Sequence, residues 1–201
     1  MNFDSTLTMI SLTYICITCL SWILCLTVGL PLILAVYFSK SFRSSFFSWG
    51  YYRLAEPFFK THLEVSRKKA FKILKDSLKD RTGPFEVLEI GVGHGPNLQF
   101  YPENCFLTVL DKNKGFEPYF LKTLKKYSHI SYRRIVIQPA ENMAGIDDES
   151  FDVVISTYLH CSTDDSNAVL QEVKRVLKPV SKIIFFYLNP LMPKDTSKKP
   201  S

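Results

Sequence analysis

The sequence predicts an α/β protein, a parallel sheet with helices on both faces, preceded by a hydrophobic membrane anchor. Three observations carry this reading. From Ser5 to Ser39 there is no charged residue. After Gly83-Pro84, apolar runs of strand length alternate with helical stretches, as in a parallel sheet buried on both faces. The first of those runs ends in Glu89-Ile90-Gly91-Val92-Gly93-His94-Gly95, a glycine-rich turn. The 201 residues, 46% hydrophobic, suffice for one sizeable domain plus a short extra element.

The apolar part of the anchor, Leu7 to Phe38, exceeds the ~20 residues that a helix needs to cross ~30 Å of hydrocarbon. A cleaved signal peptide would begin with a basic leader, whereas the leader here carries Asp4 and no Lys or Arg. Gly29-Leu30-Pro31 interrupts the run, because proline removes a backbone donor. Two shapes fit: one tilted span, or a re-entrant hairpin bent at Gly29–Pro31. In both, Lys40, Arg43 and Arg53 place everything downstream on the cytosolic side. Phe46, Phe47, Trp49, Tyr51 and Tyr52 read as an aromatic cluster at the membrane interface.

The net charge is +6, with Lys and Arg concentrated between Lys40 and Arg81 and again in the tail. Beside an anchor, such a basic stretch suits anionic lipid headgroups. No basic and aromatic stripe typical of RNA-binding sheets is present, so nucleic acid is not an expected partner. The five cysteines show neither a disulfide framework nor metal-ligand spacing, and no metal is expected. Cys16, Cys19 and Cys25 lie in the anchor and read as packing residues.

Four segments follow: the anchor (residues 1–39), a basic and aromatic juxtamembrane stretch with an amphipathic helix (40–82), the α/β domain (83–189) and a polar, Pro- and Lys-rich tail (190–201) expected to be disordered. The amphipathic helix covers Phe58–Leu78. Phe71, Leu74 and Leu78 share a face, with Arg67, Lys68, Lys69, Lys72 and Lys75 assigned mostly to the other faces. Strands are expected at Phe85–Ile90, Phe106–Leu110, Tyr132–Ile137, Phe151–Ser156 and Lys182–Leu188. Helices are expected at Asn97–Tyr101, around Phe116–Tyr127 and at Ala168–Leu177.

The glycine turn narrows the chemistry. A dinucleotide turn would read Gly-x-Gly-x-x-Gly, with its third glycine at position 96. Pro96 stands there, Gly95 comes one residue early, and Glu89 lies two residues before Gly91, all departures from the dinucleotide fingerprint. Twenty residues after Gly91, Asp111 ends the second strand, where an acid can accept from both ribose hydroxyls.

These departures resemble motif I of class I S-adenosylmethionine-dependent methyltransferases, whose Rossmann-like turn wraps the methionine part of the cofactor. That resemblance implies cofactor contacts by Glu89, Gly91, Gly93, Gly95, Asn97 and Asp111, with Ala140 and Glu141 after the third strand lining the adenine pocket. Phe151–Ser156 resembles motif IV, whose following loop, here Thr157–Ser162, closes over cofactor and acceptor. A narrower likeness joins the anchor, the basic helix, Leu88–Asn97 with Phe100-Tyr101-Pro102, Asp152-Val153-Val154, Cys161-Ser162 and Glu172–Pro179. Together they resemble the methyltransferase-like seven group, membrane-bound thiol S-methyltransferases of the endoplasmic reticulum and lipid droplets. The resemblance runs from about Lys40 to Pro179.

Two departures stand against it. Pro179 is followed by Val180-Ser181 where the family has two glycines, and the family continues past the fifth strand with a helix and two more strands. The domain is therefore expected to be C-terminally incomplete, with Ile183–Leu188 as an uncovered apolar edge. A truncated isoform, an incompletely assigned reading frame, or a domain completed by a partner fits that expectation. The competing function is a non-catalytic membrane or lipid-droplet protein on the same fold.

A sulfonium already activates the methyl group for in-line attack, so the protein has mainly to position the reactants and exclude water. A thiol, pKa ~8.5, reacts as thiolate, so a base would help, with His94 or His160 as candidates. No catalytic residue is assigned. Cys161 reads as packed, because this transfer needs no covalent intermediate.

Overall fold

A computed structural model describes residues 3–79, 83–157 and 163–186. The expected tail, the end of the fifth strand, His160, Cys161 and Ser162 lie outside the described residues. The chain divides into two compact units, Met1–Phe47 and Ser48–Ser201.

The first unit is helical. Helix α1 (Phe3–Leu24) passes through a π-helical turn, Cys25–Gly29, into α2 (Leu30–Phe38). Gly29 and Leu30 keep helical angles, so the chain does not reverse at Gly29–Pro31. The wider turn absorbs the proline: the Leu30 amide donates to Cys25 O, five residues back. Ser11–Phe38 forms one apolar helix of 28 residues with nothing buried against it. At 1.5 Å per residue it is long enough to cross a bilayer core. Its hydroxyls bond back to the helix, Thr18 Oγ1 to Tyr14 O at 2.8 Å and Thr27 Oγ1 to Ile23 O at 2.6 Å. Extended Ser39 ends α2 and caps α3 (Lys40–Gly50), its Oγ accepting from the Phe42 amide at 3.2 Å.

In the second unit a π-turn, Tyr51–Ala55, leads into α4 (Glu56–Leu78), with Pro57 in its first turn. Phe71, Leu74 and Leu78 are buried as expected, and Ala70 is buried with them. Arg67 departs from expectation and is only 3% exposed. Helical periodicity decides this, because position 67 falls on the same face as 71, 74 and 78.

The sheet holds β1 (Phe85–Ile90), β2 (Cys105–Leu110), β3 (Ser131–Val136), β4 (Phe151–Thr157) and β5 (Leu177–Phe186), all parallel, in the order β3-β2-β1-β4-β5. Alternate side chains build two cores. Val87, Leu107, Val109, Val153 and Ile155 pack with α4, while Leu88, Ile90, Leu110 and Val154 pack with α6 (Ser166–Val176) through Val169, Val173 and Val176.

Four expectations are corrected. Asn97–Tyr101 is only a 3₁₀ turn, Leu98–Phe100, because Tyr101 precedes Pro102 and turns extended. The helix expected over Phe116–Tyr127 is a 3₁₀ turn, Lys114–Phe116, followed by a shorter α5 (Glu117–Leu124). Strand β3 runs Ser131–Val136, one residue earlier than Tyr132–Ile137, and Arg133 and Arg134 blunt it as a sheet edge, Arg133 stacking 3.7 Å over the Phe106 ring. Strand β5 starts at Leu177 rather than Lys182, since Lys178 precedes Pro179 and is driven from helical angles. Pro179 falls in the irregularity where Phe151 pairs with Leu177 and Val153 with Lys182.

Candidate functional site

Strand order reverses at β1, between β2 and β4, and open α/β sheets bind ligands at the carboxyl ends beside such a point. A cavity of about 200 Å³ lies there. Its walls come from the glycine turn after β1 (Gly91, Val92, Gly93, His94, Pro96), the end of β2 (Leu110, Asp111, Lys112, Asn113), Ala140 and Glu141 after β3, and Thr163 before α6. Tyr51, Arg67 and Phe116 complete it.

The turn is built around Asp111. Asp111 Oδ2 accepts from the Gly93 amide at 2.9 Å and Oδ1 from the Asn113 amide at 2.8 Å. Burial raises the Asp111 pKa, and the two amides oppose that rise by favouring the carboxylate. Each oxygen has a second lone pair, so the group keeps capacity for two ligand hydroxyls. Gly93 has φ +54°, and a Cβ there would meet no atom within 4 Å. The cavity can therefore receive a ligand against bare backbone.

Three residues expected at the cofactor, Glu89, Gly95 and Asn97, are not among the cavity-lining residues. Glu89 is fully buried beneath the turn, accepting from Asn97 Nδ2 at 2.6 Å and Tyr101 OH at 2.7 Å. Burial pushes its pKa up to about 7 against those two hydrogen bonds. Gly95 faces the core, where a Cβ would meet Leu98 Cδ1 at 2.7 Å and Phe120 Cδ2 at 3.1 Å.

Gly91, Gly93, Asp111, Ala140 and Glu141 do meet in the wall. Glu141 Oε1 accepts from the Asp164 amide at 3.0 Å, tying the segment after β3 to the approach of α6. The Met143 amide donates to Glu172 Oε2 at 2.6 Å, while Arg175 Nη2 donates to Met143 O at 3.0 Å. Glu172 and Arg175, conspicuous in the sequence near β5, thus brace the Ala140–Glu141 side.

Tyr51, Arg67 and Thr163 were not singled out from the sequence as site residues. Tyr51 and Tyr52 flank His94, with ring centroids 6.1 and 5.5 Å away. His94 Nε2 lies 3.4 Å from Glu56 Oε1, and Arg67 Nη1 lies 3.9 Å from the same oxygen. Burial and the nearby Glu56 charge raise the Tyr51 pKa. Thr163 Oγ1 is buried with no partner among the described residues, an orphaned hydroxyl suited to a polar ligand. Only the Arg67 periodicity offered a sequence signal; the rest depends on contacts between distant segments.

The methyltransferase domain family matches residues 88–185. The mouse thiol S-methyltransferase TMT1B is 39% identical over 125 residues, 62% of this chain and 50% of that protein. The human thiol S-methyltransferase TMT1A is 38% identical over 104 residues, 52% of this chain and 43% of that protein. The chain spans about half the length of these curated relatives. Among solved structures, the DszA carbon methyltransferase superposes with TM-score 0.56 at 20% identity, covering 66% of this chain and 38% of that one. A putative S-adenosyl-L-methionine-dependent methyltransferase from Methanococcus maripaludis gives TM-score 0.52 at 18% identity, covering 71% and 61%. These two likenesses establish the α/β methyltransferase fold.

Proposed function

We propose that the chain binds S-adenosylmethionine in the cavity and transfers its methyl group to small lipophilic thiols, a reading supported by the match of residues 88–185 to the methyltransferase domain family. The observation that carries the cofactor reading is Asp111, held by the Gly93 and Asn113 amides at the cavity wall. The cofactor supplies an activated methyl on a sulfonium. Asp111 accepts the ribose hydroxyls, Gly91 and Gly93 admit the ligand to the backbone, and Ala140 and Glu141 flank the adenine. Glu89 and Asn97 act from behind the turn, as positioning residues. The thiol class is supported by the likeness to the thiol S-methyltransferases, 39% identical to the mouse protein.

Calorimetry on the chain in detergent tests the cofactor site. S-adenosylmethionine and its demethylated product should both bind. Asp111→Ala should lose about 1.5–3 kcal/mol, the worth of hydrogen bonds to a charged acceptor. Equal affinity of variant and parent would remove Asp111 from the site, and preference for a nicotinamide dinucleotide would overturn the reading. Labelled methyl transfer to a small alkyl thiol tests the reaction. Cofactor binding without transfer would identify a non-catalytic binding module instead.

The proposal includes membrane attachment through the helix Ser11–Phe38, in the endoplasmic reticulum and on lipid droplets, with the domain in the cytosol. The uncharged helix and the basic residues Lys40, Arg43 and Arg53 after it support this. Alkaline carbonate washing should leave the protein in the membrane pellet, and deletion of residues 1–39 should release it. Full release of the intact chain would rule out an integral anchor.

A further inference from the structure

Resting on the reading of Ser11–Phe38 as a membrane helix, we infer that the outer face of α4 is a second lipid contact, lying against the anionic surface of the membrane that the anchor enters. The inner face of α4 carries Ala70, Phe71, Leu74 and Leu78 into the core. On the other side Phe58, Val65 and Ile73 turn to solvent, 73%, 59% and 62% exposed. They recur at near-whole numbers of helical turns, so they share one face. Exposed apolar residues are ordinary when scattered singly, whereas a row of them along one helix marks a contact surface. Lys68, Lys69 and Lys72 are exposed on the same side, between Val65 and Ile73.

Charge and tether both select lipid as the occupant. From Val65 to Lys75 there are five basic residues and no acidic one. Glu64, paired with Lys68 at 2.8 Å, and Asp76 stand at the two ends of this stretch. The face between them is cationic, and each lysine held near an anionic leaflet strengthens the contact about fivefold. Lysine stems lie along apolar surface while their ammonium heads reach the headgroups, so Phe58, Val65 and Ile73 can seat at the acyl boundary among them. Helix α4 begins at Glu56, soon after the apolar helix ends at Phe38. That short connection gives the face a high effective concentration near the bilayer, where even a weak contact is occupied. Arg67, on the inner side of α4, lines the cavity. With the outer face on lipid, the cavity comes within about 10 Å of the headgroups, one helix diameter. A lipophilic acceptor dissolved in the bilayer then has a short path to it.

The test reads lysine accessibility on the full chain and needs no substitution. The protein is reconstituted in vesicles of phosphatidylcholine alone or mixed with phosphatidylserine, treated with a water-soluble acylating reagent and mapped by mass spectrometry. Lys174, exposed on α6 over the opposite face of the sheet, is the internal standard. Relative to it, Lys68, Lys69 and Lys72 should react about fivefold more slowly in the mixed vesicles than in phosphatidylcholine alone. High salt should restore the faster rate. The double variant Val65→Glu, Ile73→Glu should restore it too, with an unchanged urea midpoint in detergent, since both side chains are exposed. Rates indifferent to phosphatidylserine would overturn the inference and leave the anchor standing. Slowing that follows protein density in the vesicles rather than phosphatidylserine would make a second copy of the chain the occupant, and overturn it as well. A chain that alkaline carbonate strips from the vesicles would overturn the anchor reading itself, and the inference with it.

Discussion

Replacing Gly95 by alanine will lower the stability of the domain by about 2–5 kcal/mol, while the same change at Gly93 will mainly impair ligand binding. Gly95 has φ +81°, a left-handed conformation that disfavours an L side chain by about 1–2 kcal/mol. Its added Cβ would lie 2.7 Å from Leu98 Cδ1 and 3.1 Å from Phe120 Cδ2. Phe120 is fully buried, so it has little room to retreat, and overpacking of this kind costs a further ~1–3 kcal/mol. Gly93, at φ +54°, pays only the backbone term, because nothing lies within 4 Å of its Cβ. That Cβ would project where the ligand meets the turn. Urea denaturation of both variants, with cofactor calorimetry on Gly93→Ala, separates the two effects. Equal loss of stability in both would show that the turn does not divide between core and cavity as the contacts require.

The parent chain should lose stability relative to Glu89→Gln as pH rises from about 4.5 to about 7. Burial raises the Glu89 pKa from 4.5 to about 7, so across that window the folded state holds a proton that the unfolded chain releases. Stability falls with pH wherever the native state binds more protons. The contribution is complete below pH 4.5 and is lost as pH passes the folded value. The loss is on the order of 3 kcal/mol at ~1.36 kcal/mol per unit. Glutamine has no carboxyl to ionise, and rotation of the Tyr101 hydroxyl and the Asn97 amide lets both remain hydrogen-bonded. Glu89→Ala should instead be destabilised on both sides of the window. It strands the buried Asn97 and Tyr101 donors, at about 1–3 kcal/mol each. Urea midpoints at pH 5 and pH 7.5 read the effect, and parallel profiles for parent and Glu89→Gln would refute it.

These two positions mark how far the sequence could be read. Motif spacing treats Glu89, Gly91, Gly93, Gly95 and Asn97 as one cofactor-facing set. The fold separates them: Gly91 and Gly93 line the cavity, Glu89 and Asn97 pair beneath the turn, and Gly95 faces the core. Strands β1, β2 and β4 were legible because strands buried on both faces must be apolar throughout. The start of β5 was not, because Leu177 also suits the apolar face of a helix, and Lys178–Pro179 ended the helix earlier than that periodicity implied.

By itself the sequence determined the architecture and the place of the site: an uncharged helix-forming run, a parallel α/β sheet, and a glycine turn followed twenty residues later by Asp111. These are local signals, carried by periodicity, composition and short spacings. Only the tertiary structure decided that Tyr51 lines the cavity and that Glu89 braces the turn from below. Burial and hydrogen-bond partnership are properties of the space between segments. Glu56 meets His94 across 38 positions, and no local pattern in the chain encodes that distance.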